Sequence, residues 1–71
     1  MTKVEAIVLS AAARCKMRSL SELAERSGTP YSSMRYKMRN PGTIRLSDLA
    51  AWNKHCAFTA DEIREIVGVS G

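Results

Sequence analysis

The triplet Gly28-Thr29-Pro30 does most to limit the folds open to this chain, because it separates two short helical patterns. Glycine adopts the left-handed conformation that ends many helices. Proline is tolerated at the first position of a helix, where its missing N–H costs nothing. We therefore predict a helix over 20–27, a turn, and a second helix over 30–39 that Thr29 caps. The breaker Asn-Pro-Gly then ends this second helix.

Three further helices are predicted, and capping signals mark the start of two of them. The pattern S/T-x-x-E, in which a hydroxyl and a glutamate satisfy backbone N–H groups at a helix start, begins at Thr2, Ser19 and Thr59. The first helix is predicted over 3–17. The fourth begins near Leu46, and the fifth follows Thr59 and closes at Gly68.

Apolar residues at helical spacing predict the core of this bundle. They are Val4, Ile7, Val8, Ala11, Ala12, Cys15, Leu20, Leu23, Ala24, Met34, Leu46, Leu49, Ala50, Trp52, Ile63, Ile66 and Val67. No stretch of four or more residues reads better as a strand. The expected fold is all-α, with five helices in a single domain over 1–71 and a helix-turn-helix at about 20–39.

Positive charge is concentrated in the middle of the chain. Residues 14–45 hold eight basic and two acidic residues, a net charge of +6, whereas 46–71 have a net charge of −2. The predicted helix over 30–39 has three basic residues and no acid. This distribution is typical of a surface that binds phosphates, and the alternative is a basic face that is merely solvated.

The composition and the motifs argue against several classes of function. A chain of 71 residues leaves little room for a catalytic cleft. It has no Gly-rich phosphate loop, Ser-His-Asp set or paired catalytic carboxylates, so we expect neither an enzyme nor a cofactor. Cys15, His55 and Cys56 lack the paired spacing of zinc ligands, so we predict no metal site and two free thiols. Without a signal peptide or an apolar run of ~18 residues, the expected compartment is the cytoplasm.

The order of these features resembles a known family. Leu23 and Ala24 match the apolar and small residues of the first helix of a helix-turn-helix, Gly28 matches its corner, and Met34 matches the residue that anchors the second helix. With Lys37-Met-Arg-Asn-Pro-Gly, Leu-Ser-Asp-Leu and Thr-Ala-Asp-Glu-Ile around it, the chain resembles the phage-regulator branch of the lambda-repressor-like family, of Cro and repressor type (the XRE family). The resemblance covers about 2–68. Ser27 and Lys37 depart from it, since the family usually has apolar residues there.

This resemblance implies a transcriptional regulator of a bacterium or phage, acting at the bacterial nucleoid. Its third helix would lie in the major groove of double-stranded DNA, and the protein would bind a near-palindromic operator as a dimer. The dimer would be weak, would form only on DNA, and would use a small surface around Phe58, Val67 and Val69. The chain is expected to be a Cro-like protein or a stand-alone small regulator.

Helical geometry predicts which side chains touch the DNA. With Met34 pointing inward, Ser32, Arg35, Tyr36 and Arg39 fall on the outer side of the third helix and Tyr31 at its margin. The predicted base-reading residues are Tyr31, Ser32, Arg35 and Tyr36. Arg35 is the main candidate, because a guanidinium can donate two hydrogen bonds to guanine, although a phosphate contact is an equal alternative.

A second group of residues is expected to position the protein on the DNA backbone. It comprises Ser19, Ser21, Lys37, Arg39, Asn40 and Thr43, with Lys16, Arg18 and Arg45 as peripheral charges.

Two rival functions remain open on the same fold. One is a protein-binding adaptor or antirepressor, and the other is an architectural or excision factor that bends DNA with little base readout.

Overall fold

The computed structural model describes residues 2–70, and within them it has five α-helices and no strand. The helices are α1 (Lys3–Arg14), α2 (Leu20–Ser27), α3 (Tyr31–Arg39), α4 (Leu46–Cys56) and α5 (Ala60–Ser70), and a single 3₁₀ turn covers Pro41–Thr43. The all-α prediction with five helices is therefore confirmed. None of these helices is both long enough and apolar enough to cross a membrane.

The predicted hydroxyl caps are present at three helix starts. The side chains of Thr2, Ser19 and Thr59 each accept a hydrogen bond from the backbone N–H three residues later, at 3.1, 3.4 and 3.1 Å. At Thr59 the carboxylate of Glu62 also accepts from the backbone N–H of the cap residue, at 2.9 Å. Because orphan N–H groups at a helix start need acceptors, these contacts fix where α1, α2 and α5 begin.

The first helix is shorter than predicted, since α1 ends at Arg14 rather than near Met17. Lys16 adopts a left-handed conformation with φ of 64°. The N–H groups of Lys16 and Met17 then bond to the carbonyls of Ala13 and Ala12, at 3.1 and 2.9 Å. This hydrogen-bond pattern closes many helices at a glycine, and here a lysine takes that position, so the sequence had no glycine to signal the end.

Two other predicted boundaries are wrong. Thr29 does not cap α3, because Pro30 is the residue in front of the helix and its ring provides no acceptor. The Thr29 hydroxyl instead accepts a hydrogen bond from Trp52 Nε1 at 3.3 Å. At the other end of the chain, α5 continues through Gly68, which a helix tolerates at a cost of only about 1 kcal/mol relative to alanine.

The turn between α2 and α3 has the predicted geometry. Gly28 has φ of 76°, and the N–H of Thr29 bonds to the carbonyl of Ala24 at 3.0 Å. Ser27 occupies the position where the resemblance leads one to expect an apolar residue. Its Oγ lies 3.3 Å from the carbonyl of Ala24 and 3.1 Å from Thr29 Oγ1, so its hydroxyl is satisfied within the turn itself.

The core is formed by all five helices and by the segments between them. Its buried residues are Val4, Val8, Ala11, Ala12, Met17, Leu20, Leu23, Ala24, Met34, Met38, Ile44, Leu49, Trp52, Cys56, Phe58 and Ile66. Of the other predicted core residues, Ile7 and Cys15 are partly buried against it. Leu46 is 78% exposed because the buried stripe of α4 begins one turn later, at Leu49, and Ala50, Ile63 and Val67 are exposed as well.

Contacts from three directions hold α3 in place. It packs against α1 and α2, and the Thr2 hydroxyl in front of α1 donates a hydrogen bond to the carbonyl of Met38 at 2.6 Å. On the side of α4, Lys37 Nζ lies 2.7 Å from Asp48 Oδ2. The helix is therefore fixed on the protein while one of its faces stays open to solvent.

Candidate nucleic-acid interface

The inner side of α3 is defined by two methionines. Met34 and Met38 are four residues apart, so they share one face of the helix, and they are 0% and 1% exposed. This confirms the predicted register. On the opposite side Tyr31 and Tyr36 are 45% and 57% exposed, and three more exposed side chains accompany them: Ser32, Arg35 and Arg39. The structure therefore presents the predicted base-reading residues on one open face.

Arg35 is held by the first residue of its own helix. Its Nη1 donates a hydrogen bond to the Tyr31 hydroxyl at 3.3 Å, and its Cζ lies 5.9 Å from the centre of the Tyr31 ring. The hydrogen bond with Tyr31 is the main cause that raises the pKa of Arg35 further above its ordinary value. An arginine is charged at neutral pH in any case, and here the guanidinium rests against an aromatic face that favours cations.

The far end of α3 carries a second group of exposed polar residues. Asn40 Nδ2 donates to the carbonyl of Tyr36 at 3.1 Å, and the Thr43 hydroxyl donates to the carbonyl of Asn40 at 2.7 Å. These bonds satisfy carbonyls where the helix ends, and they fix the side chains of Asn40 and Thr43 at this end of α3. Three of the predicted backbone-contacting residues are therefore grouped at one end of the open face.

Lys37 is placed differently from the other predicted backbone-contacting residues. Its side chain is only 19% exposed, and its Nζ is paired with Asp48, whose Oδ2 also accepts from the backbone N–H of Arg45 at 2.9 Å. Burial acts to raise the pKa of Asp48, but these two hydrogen bonds outweigh it and lower that pKa. Because the charge of Lys37 is balanced by a carboxylate, we expect it to contribute less to phosphate binding than Arg39.

Two clefts flank the outer face of α3. The larger, of about 480 Å³, is lined by Tyr31, Ser32, Arg35, Tyr36, Arg39 and Asn40. The smaller, of about 330 Å³, is lined by Ser32, Ser33, Tyr36, Lys37, Thr43 and Arg45. The second cleft adds Ser33, which the sequence did not single out, and brings Arg45 beside α3 from the segment that precedes α4. Arg45 lies near these α3 residues only because the 3₁₀ turn folds against α3.

The two serines at the start of α2 lie outside both clefts. Ser19 is half-buried and uses its hydroxyl to cap α2, while Ser21 is exposed. Lys16 and Arg18, just before them, are exposed and line a third cleft with apolar residues of α1. The backbone N–H groups at a helix start favour anions, so this corner can bind a phosphate separately from the face of α3.

Arg35 and Arg39 are the two exposed cations of α3. Neither Arg35 nor Arg39 pairs with a carboxylate among residues 2–70, in contrast to the cations of α1. Lys3 lies 3.1 Å from Glu65, and Arg14 Nη1 lies 3.0 Å from Glu62 Oε2. The open face of α3 therefore keeps two cations available to a ligand, as do the exposed Lys16, Arg18, Arg45 and Lys54, which form no ion pair among the same residues.

The remaining predictions concern thiols, metals and a dimer surface. The Cys15 thiol donates to the carbonyl of Cys56 at 3.1 Å, and burial raises the pKa of Cys56 to about 11, so the Cys56 thiol stays protonated. Within residues 2–70 no three metal-ligating side chains come together.

The expected dimer surface is only partly exposed. Val67 and Val69 are exposed, but Phe58 is 9% exposed and belongs to the core, so it cannot form the expected dimer surface.

Compared with protein-family models, with curated proteins and with solved structures, the chain matches none of them. A function for the open face of α3 must therefore be inferred from its own side chains.

Proposed function

We propose that this protein binds double-stranded DNA in a sequence-specific manner and acts as a transcriptional regulator. The observation that carries the proposal is the outer face of α3, which presents Arg35 and Arg39 with two tyrosines and a serine, and no acid. The turn at Gly28 supports it, because a helix that follows such a turn can project from the protein surface. A helix of this kind fits the major groove of B-DNA, which is about 12 Å wide.

In this orientation the first two turns of α3 read bases. The fork of Arg35 matches the two acceptors of guanine, O6 and N7, while Ser32 can bond to the edge of any base. The rings of Tyr31 and Tyr36 can pack against a thymine methyl group or donate a hydrogen bond to a phosphate. All four side chains are exposed on the face that would enter the groove.

The end of α3 and the segment after it would hold the DNA backbone. Arg39 and Asn40 line one cleft there, while Thr43 and Arg45 line the neighbouring one. Ser19 and Ser21 would bind a phosphate at the start of α2. Contacts of this kind fix the register of the protein on the duplex without reading its sequence, and they make affinity fall as salt rises.

The resemblance to Cro and repressor proteins supports the biological part of the proposal. It favours a bacterial or phage regulator in the cytoplasm, with a near-palindromic operator whose half-sites are about 34 Å apart. The homodimer would be weak and promoted by DNA. With Phe58 in the core, its contact surface would have to use exposed α5 residues such as Val67 and Val69.

Selection of bound sequences from a random duplex pool tests this function. The winning duplex is then titrated across salt concentrations with the wild-type protein, Arg35→Ala and Arg64→Ala. Arg64 is a matched control, because it is an exposed arginine of α5 that pairs with Asp61, at 3.5 Å. We expect an enriched inverted repeat, steep salt dependence, a relaxed preference at one base pair in Arg35→Ala, and wild-type preference in Arg64→Ala.

Two other results would replace the proposal by its rivals. Salt-sensitive binding without an enriched sequence would indicate an architectural factor that reads DNA shape and charge. No binding to duplex DNA at low salt would indicate that the fold serves a protein partner.

A further inference from the structure

We infer that Tyr31 is a positioning residue that commits Arg35 to reading guanine rather than to binding a phosphate. This inference rests on the proposed function and specifies how its main residue works. The observation behind it is the double contact between the two side chains, one through the hydroxyl and one through the ring.

The direction in which the contact draws Arg35 decides between the two roles. Side chains of a helix point toward its N-terminus, and Tyr31 is the first residue of α3, one turn before Arg35. The hydrogen bond therefore holds the guanidinium over the N-terminal end of α3. In a recognition helix, the N-terminal residues contact base edges. The polar residues suited to phosphates, Arg39, Asn40 and Thr43, lie at the opposite end.

The contact also leaves the right donors available. A guanidinium has five N–H donors in a planar fork, and Tyr31 takes only one of them, from Nη1. The remaining donors on Nε and Nη2 form one edge of the fork and can reach O6 and N7 of guanine together. The tyrosine hydroxyl, whose oxygen accepts from Arg35, keeps its own hydrogen for a nearby acceptor.

Fixing the side chain before binding should sharpen the choice of base. A free arginine side chain loses rotamer freedom when it binds, and it can exchange a base for a phosphate at little cost. An arginine already held over one end of the helix loses less freedom and reaches fewer alternatives. The two residues should therefore be coupled in discrimination among bases, and not only in overall affinity.

The test uses the duplex obtained by selection, at the guanine whose preference depends on Arg35. That guanine is replaced by 7-deazaguanine, which lacks the N7 acceptor, and the loss in affinity is measured for wild type, Tyr31→Phe, Tyr31→Ala and Arg35→Ala. We expect a loss of about tenfold for wild type. The loss should shrink to about threefold in Tyr31→Phe, which keeps the ring but not the hydroxyl, and should disappear in Arg35→Ala.

Tyr36→Phe is the chemical control, because it removes a hydroxyl from the same face without touching the pair. Whatever it does to overall affinity, it should leave the 7-deazaguanine ratio at the wild-type value. Circular dichroism and thermal unfolding of each variant show whether α3 is intact. Equal ratios for wild type and Tyr31→Phe would overturn the inference and leave sequence-specific binding through Arg35 standing.

A measurement on the free protein separates this failure from failure of the proposed function. Rotation of the Arg35 guanidinium, followed by NMR of its Nε and Nη groups, should be slower in wild type than in Tyr31→Phe. Slow rotation in a protein that binds no duplex DNA would reject the proposed function, and with it a role for the pair in reading bases. Equal rotation in the two proteins would reject the inference by itself.

Discussion

The exposed faces of α3 and α5 are both rich in charge, yet they use it in different ways. On α5, Glu62 and Glu65 pair with Arg14 and Lys3 of α1, so the charges join two helices of the fold. On α3, Arg35 rests on a tyrosine and meets no carboxylate among residues 2–70. Opposite charges that face each other stabilise the fold, whereas charges of one sign without partners remain available to a ligand.

On their inner sides, α3 and α5 both contribute a fully buried residue to the core, and replacing these residues should have the largest effect on stability. Met34 of α3 and Ile66 of α5 are each 0% exposed in the same core. Met34→Ala and Ile66→Ala should each lower the free energy of unfolding by about 2–5 kcal/mol. Urea unfolding followed by circular dichroism measures this. A much smaller loss for Met34→Ala would mean that α3 is only loosely part of the core.

Asp48→Ala should give the next largest effect, because it removes the tie between α3 and α4. The carboxylate accepts from Lys37 and from the backbone N–H of Arg45, so its loss leaves a half-buried cation without its partner. We expect the free energy of unfolding to fall by about 1–2 kcal/mol. Ser47→Ala, which changes an exposed neighbour in the same turn, should fall within about 0.5 kcal/mol of wild type.

Arg39→Ala tests the difference between α3 and α5 through the salt dependence of DNA binding. Removing one phosphate contact should reduce the slope of log affinity against log salt by about 0.9 and leave the order of preferred sequences unchanged. Its thermal unfolding should match that of wild type, since Arg39 is exposed and pairs with no carboxylate among residues 2–70. The same substitution at Arg64 of α5 should leave the salt slope unchanged. If the salt slope of Arg39→Ala equals that of Arg64→Ala and of wild type, the phosphate contacts lie elsewhere on the protein.

Glu62→Gln should produce the smallest effect, and only in the pH dependence. The hydrogen bond from Arg14 is the main cause that lowers the pKa of Glu62. A carboxyl group with a lowered pKa in the folded state adds stability above its ordinary pKa of about 4.3, and this is lost as the pH falls through the lowered value. Wild type should therefore be more stable than Glu62→Gln at pH 7, and the two should converge in acid. Parallel curves from pH 7 to pH 2 would contradict the role of this pair.

Sequence reasoning worked best where local signals and core contacts agree. The bounds of α2 and the burial of Leu20, Leu23 and Ala24 were predicted correctly, because a serine cap, an apolar stripe and Gly28 all mark the same helix. The end of α1 was missed, since Lys16 adopts a left-handed conformation that its residue type does not signal. The next residue, Met17, is buried in a core that distant parts of the chain build, and the spacing within α1 does not reveal this.

The candidate site shows the same division. Rotation about α3 from Met34 predicted its outer face, since that needs only helical geometry. The pairing of Lys37 with Asp48 could not be read from spacing, because the two residues are eleven positions apart and the Pro41–Thr43 turn lies between them. The position of Phe58 in the core was missed for a similar reason, as it depends on how the link between α4 and α5 folds back. Ser33 lines a cleft only because the Pro41–Thr43 turn folds against α3.

The hydrogen bond between Trp52 and Thr29 makes the turn visible to spectroscopy. Trp52 is the single tryptophan of the chain and is 0% exposed, and its indole N–H points at the residue that joins Gly28 to Pro30. A ligand that moves Thr29 relative to α4 would change this bond, and with it the emission wavelength of the indole. The indole is therefore a built-in fluorescent reporter of movement at this turn, and a ligand that causes such movement can be followed without a dye attached to α3.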